Sequence, residues 1–131
     1  MDQAWEKVKE FHRCFGVPHK EKPEKLAMER VQKRAKWMEE EIGEFKQART
    51  IEEQADAMID TIYLALGTLV EMGVRPQALF DIVHTANMDK LWEDGKPRYR
   101  ESDGKVIKPS SWQDPGPLLR EEINRQTDTH E

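Results

Sequence analysis

Thr50-Ile-Glu-Glu-Gln-Ala-Asp-Ala-Met-Ile-Asp60-Thr-Ile-Tyr-Leu-Ala-Leu-Gly67-Thr-Leu-Val-Glu-Met-Gly73 reads as one long helix around which the rest of the chain must be built. Thr50 with Glu53 three residues on has the form of a capping box at the helix start, and Gly73 is a natural C-terminal stop. Between these signals the helix is apolar almost all round, through Ala57, Met58, Ile59, Ile62, Tyr63, Leu64, Leu66, Leu69 and Val70. Such a helix has to be surrounded. Asp60 is the exception in the middle of it. An unpaired carboxylate costs several kcal/mol to bury, so Asp60 must be paired, protonated or bound to a cation. No Arg or Lys lies between Arg49 and Arg75 to pair with it along the helix.

Working outward, Val8, Phe11 and Phe15 recur at helical spacing over Trp5 to Phe15, with Gly16 as the stop. Pro18, Pro23 and their charged neighbours make residues 17–25 a loop. A second helix is expected from about Leu26 to Ala48, with Val31, Ala35, Met38, Ile42 and Phe45 forming a packing seam. Pro76 suits the first turn of a fourth helix running to about Trp92. Asp103-Gly104 marks a turn in a small hairpin or ordered arm, and Leu118 to Arg125 forms a last short helix before a frayed polar end. The expected architecture is an all-α, antiparallel four-helix-type bundle with an irregular C-terminal arm. Residues 1–131 would form a single domain, with a core over 5–93 and the arm over 94–131. Three other helices barely cover the third, so a homodimer or homotetramer should complete it.

Composition narrows the function. At 131 residues the chain is too short for a two-domain Rossmann enzyme or a barrel enzyme. Mean hydropathy is -0.89, no apolar run approaches the ~20 residues of a membrane span, and the first ten residues are half charged, unlike a signal peptide. One cysteine, Cys14, rules out a disulfide framework. A cytoplasmic protein without membrane partners is the expectation. The net charge of -5 argues against nucleic acid as a partner.

That charge is concentrated. Glu39, Glu40, Glu41, Glu44, Glu52, Glu53, Asp56 and Asp60 face only Lys46 and Arg49 within residues 39–60, which gives that window -6. On the second helix Glu40, Glu44 and Glu41 fall at about 0°, 40° and 100°, and Glu41 borders the apolar seam. On the third, Glu53, Asp56 and Asp60 lie within about 60° of one another. Antiparallel packing would bring two acidic faces together, and a hard divalent cation, Mg²⁺ or Mn²⁺, is the natural relief. An acidic helix face by itself is more often plain solvated surface; Asp60 inside the apolar run tips the balance. Asp81 and His84 have the spacing of a di-iron motif but lack a second copy. The tryptophans are packing residues by default, with Trp37, one turn before Glu41, a candidate wall for a base-binding slot. Lys96, Arg98, Arg100, Lys105 and Lys108 make the arm basic, as a metal–polyphosphate ligand would need.

The ordered set of motifs resembles a known superfamily. Glu40-Glu41-Ile42-Gly43-Glu44 matches the EExxE motif of the all-α nucleoside triphosphate pyrophosphohydrolases, which include MazG, dimeric dUTPases and phosphoribosyl-ATP pyrophosphohydrolases. Glu53 to Tyr63, followed by Gly67 and Gly73, is similar to the second acidic helix. Asn87-Met-Asp-Lys90 and Asp103-Gly-Lys105-Val-Ile-Lys108 resemble downstream signatures of the phosphoribosyl-ATP pyrophosphohydrolase-like subgroup, as does the opening Glu10-Phe-His12, Phe15-Gly16 and Pro18. The likeness spans roughly residues 5 to 110. One departure stands out: aligning the family's ExxD on Asp60 puts Ala57 at the Glu position, with Asp56 one residue earlier.

The resemblance implies Mg²⁺-dependent cleavage of a nucleoside triphosphate into monophosphate and pyrophosphate, with Mn²⁺ as a substitute. Glu40, Glu41, Glu44, Asp56 and Asp60 would hold the metal, and Glu41 or Glu40 would act as general base. Lys90, Lys105 or Lys108 would meet the leaving pyrophosphate, and Asn87 the base or sugar. Phosphoribosyl-ATP hydrolysis in histidine synthesis is the narrower alternative, and a non-enzymatic helical interaction module the bland one.

Overall fold

The computed structural model describes residues 1–128. Five helices appear in order: α1 (Asp2–Phe15), α2 (Met28–Gln47), α3 (Ile51–Met72), α4 (Gln77–Met88) and α5 (Gly116–Asp128). No strand is formed among the described residues, so the fold is all-α as the periodicity predicted. The chain divides into two compact units, Met1–Pro76 with the chain end from Gln126, and Gln77–Arg125.

In the first unit α3 lies against both α1 and α2. Trp5 and Val8 of α1 meet Leu66 and Val70 of α3 in a small fully buried core, with Leu69 packed alongside. The punctuation of α3 is as expected. The Glu53 backbone N–H donates to Thr50 Oγ1 at 3.2 Å, and the Thr50 hydroxyl donates to the Glu53 carboxylate at 3.1 Å. Gly73 adopts φ 70° at the other end, donating to Leu69 and Val70 carbonyls. Gly73 is needed twice over: a Cβ there would also lie 2.4 Å from the Lys22 carbonyl oxygen. The 17–25 loop runs over this helix end, with Lys20 N–H donating to the Val70 carbonyl and Glu24 N–H to that of Met72.

The seam predicted on α2 needs correcting. Val31, Ile42 and Phe45 stay about 40 % exposed, whereas Arg34 is the residue that α2 buries. The reason is polar. Arg34 and Arg30 both reach Glu71 of α3, which is 1 % exposed: Arg30 donates two hydrogen bonds of 2.9 Å and Arg34 Nη1 stands 3.0 Å away. Removing a partner from such a buried pair strands a charge, at about 3–5 kcal/mol. His12, 2 % exposed, donates from Nδ1 to the Pro18 carbonyl at 2.8 Å, and burial holds its pKa below the usual imidazole range.

In the second unit α4 stops at Met88, earlier than predicted. Lys90 and Leu91 N–H donate three residues back, to Asn87 and Met88, and the tightened chain leaves the helix. The 96–108 arm is the predicted hairpin in miniature. Tyr99 and Val106 form an antiparallel bridge, closed by Arg100 N–H to Lys105 O at 2.7 Å, with Gly104 at φ 74° in the turn. Helix α5 begins before Leu118 and continues past Arg125 to Asp128, so the fraying expected directly after Arg125 does not occur there. The expected polar end over 129–131 lies outside the described residues.

Gly73→Ala should lower the melting temperature by about 5 °C or more, since both a left-handed φ and a backbone contact oppose the added methyl. Gly43, whose Cβ would meet nothing within 4 Å, is the control: Gly43→Ala should melt at or above the parent temperature. Differential scanning calorimetry of the two variants checks this.

Candidate metal centre

The helices α2 and α3 run antiparallel, with Arg30 opposite Glu71 near one end and Glu41 opposite Asp60 further along. Each helix projects its acids across the gap. Glu41, Glu44 and Asp60 each offer one carboxylate oxygen, and these oxygens all lie within 4.8 Å of one another. Glu41 and Asp60 are half-buried and Glu44 is exposed. None of the three takes part in an ion pair among the described residues. Asp56 stands beside them with Glu44, Gln47 and Glu53 around an open cavity of about 350 Å³.

The electrostatic state of this cluster follows from crowding. Burial pushes the Glu41 carboxyl above its ordinary range, and contact with Glu44 and the like charges of Glu44, Asp60 and Asp56 push it further. Asp60 is raised by burial first, then by Asp56 and Glu44. Glu41 Oε2 is a buried oxygen with no hydrogen-bond donor. An orphaned carboxylate oxygen facing two more carboxylates is an unsatisfied arrangement for protein alone. It fits a divalent cation with oxygen ligands, as the donor set of three acids without sulfur or imidazole requires.

Of the five acids expected to hold metal, the structure thus gathers Glu41, Glu44 and Asp60 and sets Asp56 at the rim of the same cavity. Glu40 is exposed and outside the trio. Trp37 is half-buried, with the guanidinium carbons of Arg34 and Arg30 at 5.2 and 5.7 Å from its ring centre. In the second unit, Lys90, Lys105 and Lys108 line a cavity of about 500 Å³ with Arg100, Val106 and Ile107. Arg100 is paired with Asp103, whereas the three lysines form no ion pair among the described residues. The ring of Trp112 lies under two of them, with Lys108 at 4.4 Å and Lys90 at 5.7 Å, and its Nε1 donates to the Ala86 carbonyl at 2.7 Å. Sequence reasoning treated Trp112 as packing, and only Lys108, four residues before it, stood near it in the chain as a signal. Asn87 is exposed at the end of α4. Cys14 is a free, exposed thiol.

An all-α chain whose antiparallel acidic helices gather three carboxylates falls in the class of helical proteins with a candidate divalent-cation site. The comparisons narrow it. Residues 8–87 match the model of the phosphoribosyl-ATP pyrophosphohydrolase family. A crystal structure described as a "putative NTP pyrophosphohydrolase" from Exiguobacterium sp. 255-15 is 32 % identical, covers 98 % of each chain and superposes with a TM-score of 0.56. No curated protein matches the chain. The chain belongs to the phosphoribosyl-ATP pyrophosphohydrolase family, within the all-α NTP pyrophosphohydrolase superfamily.

The raised Asp60 and Glu41 carboxyls carry a stability consequence. A carboxyl whose folded pKa exceeds its unfolded value binds more protons in the native state, so stability falls as pH rises between the two values. Metal-free Asp60→Asn should therefore melt above the metal-free parent at pH 7, and the difference should shrink as the pH is lowered toward 4. Thermal denaturation in chelator across that range reads the sign.

Proposed function

We propose that the protein is an Mg²⁺-dependent nucleoside triphosphate pyrophosphohydrolase that clears (deoxy)nucleotides to monophosphate and pyrophosphate. The observation that carries this reading is the convergence of Glu41, Glu44 and Asp60 around an orphaned carboxylate oxygen in a chain of this family. When bound, the cation supplies charge neutralisation for the triphosphate and lowers the pKa of water at the site. Glu41, Glu44 and Asp60, with Asp56, would hold it by their carboxylates, with exposed Glu40 a further ligand candidate. Glu41, through an oxygen not taken up by the cation, takes the proton of the attacking water; Glu40 is the other candidate base. The resemblance assigns Lys90, Lys105 and Lys108 to the leaving pyrophosphate and Asn87 to the base or sugar, and Trp37 is the candidate wall for the base.

A homodimer or homotetramer in the cytoplasm is part of the same proposal. Ile51, Ile59 and Ile62 of α3 are 75 %, 60 % and 49 % exposed, apolar surface that a second copy of the chain would cover. Phosphoribosyl-ATP is the second substrate to consider, because the family model itself is that of phosphoribosyl-ATP pyrophosphohydrolase.

Pyrophosphate release, measured over the common and damaged nucleoside triphosphates and over phosphoribosyl-ATP with Mg²⁺, tests both. The expected result is turnover of one or more (deoxy)nucleoside triphosphates with little on phosphoribosyl-ATP; the reverse ranking selects the second substrate. Turnover of neither would leave a helical interaction module and refute the proposal. Glu41→Gln and Glu44→Gln should each lower kcat by at least about 100-fold while far-ultraviolet circular dichroism stays unchanged. Undiminished turnover in both would contradict the assignment of these acids.

A further inference from the structure

Two turns along α2 from the carboxylate cluster lies a buried polar group that the chemistry above does not use. Arg34, 4 % exposed, meets α3 at three separate places. Its Nη2 donates to the Leu64 carbonyl at 2.8 Å, its Nε donates to Thr68 Oγ1 at 3.1 Å, and its Nη1 faces Glu71 at 3.0 Å. A guanidinium is a rigid planar fork, so acceptors at three positions fix both the rotation of α2 and its height against α3. Thr68 is itself oriented by donating to the same Leu64 carbonyl at 2.8 Å.

Gly67 makes this contact possible. A Cβ on residue 67 would lie 2.4 Å from Arg34 Nη2 and 2.9 Å from His12 Nε2, so the guanidinium lies directly on the helix at the one position without a side chain. From there the register runs unbroken to the acids. The four residues from Arg30 to Arg34 match the four from Glu71 back to Gly67. The seven from Arg34 to Glu41 match the seven from Gly67 back to Asp60. At a rise of 1.5 Å per residue, Arg34 stands about 10 Å from Glu41 along the helix. That is too far to touch a cation among the carboxylates. A slip of one residue at Arg34, however, would turn Glu41 by about 100° relative to Asp60. Beyond the Arg30–Glu71 pair at the far end, the apolar residues of α2 hold the register only weakly, because Val31, Ile42 and Phe45 are only half covered.

We propose that Arg34 is a positioning residue for the divalent-cation site, seated on Gly67 and setting the α2–α3 register that brings Glu41 and Glu44 opposite Asp60. The inference rests on reading those three acids as the cation site. Its rival is that Arg34 serves only to neutralise buried Glu71. Arg34→Lys separates the two: an ammonium still offers Glu71 a positive charge, but it cannot hold the Leu64 carbonyl, Thr68 and Glu71 in one fixed plane. Gly67→Ala leaves every charge in place and displaces the fork together with the neighbouring His12 ring.

Manganese titration followed by electron paramagnetic resonance, on protein whose folded fraction is set by circular dichroism, provides the test. The parent should bind Mn²⁺ and Asp60→Asn should not. Arg34→Lys and Gly67→Ala should each weaken Mn²⁺ binding by roughly 10-fold or more, the effect typical of residues that orient metal ligands, with turnover recovering at saturating Mn²⁺. If either variant fails to fold, Thr68→Val, which removes a single acceptor, is read in the same way and should weaken binding in the same direction. Mn²⁺ affinity equal to the parent's in the folded variants would overturn the inference and leave Arg34 a purely structural partner of Glu71. A parent protein that binds no Mn²⁺ would overturn the cation site itself, so the two failures are distinct.

Discussion

Carboxylates brought within a few ångströms of one another repel, and the fold of this protein has to hold Glu41, Glu44 and Asp60 together against that repulsion. The acids come from two antiparallel helices, so neither helix must crowd all of its own charges onto one turn. Half-burial of Glu41 and Asp60 takes water away without supplying a counter-charge, and so sharpens the repulsion. The result is a site whose crowded charge a divalent cation would relieve.

The opposing force comes from the other end of the helix pair. There the charges are of both signs, and Glu71 is enclosed by Arg30 and Arg34 with its oxygens satisfied. The small apolar core of Trp5, Val8, Leu66 and Val70 packs α1 against α3 at that same end. The helix pair is thus anchored at one end and loaded with like charge further along. The apolar residues that might have anchored it elsewhere, such as Ile59 and Ile62, remain open to solvent in the single chain. This division of labour links stability to function: the anchored end supplies the rigidity that a site of mutually repelling groups cannot supply for itself.

Much of this was legible in the sequence because it rests on local rules. Thr50, Glu53 and Gly73 bound α3 through contacts made within four residues, and Asp103-Gly104 closes its hairpin by the same kind of local geometry. Asp60 was conspicuous because its neighbours are apolar and no basic residue lies near it in the chain. The role of Arg34 was not legible. Apolar periodicity on α2 pointed to Val31, Ile42 and Phe45, and a charged residue registers there as solvent-facing. Its burial depends on Glu71, whose pairing with it becomes visible only once α2 and α3 are set side by side, and on Gly67, which in sequence looks merely like a weak point in a helix. Glu40 illustrates the converse. The motif treats it as equal to Glu41 and Glu44, but it is exposed and lies outside the trio that meets at Asp60. Trp112 was hidden for a third reason, since the lysines over its ring come from α4's end and from the hairpin, far apart in the chain.

The central claim is that a divalent cation sits among these three carboxylates. The most direct measurement is an anomalous difference map from crystals soaked in Mn²⁺ with a non-hydrolysable triphosphate analogue. The account predicts a manganese peak at ligand distance from oxygens of Glu41, Glu44 and Asp60, in contact with the phosphates. A map with no peak there, and with the three carboxylates turned apart into solvent or met by basic side chains of another copy, would contradict it.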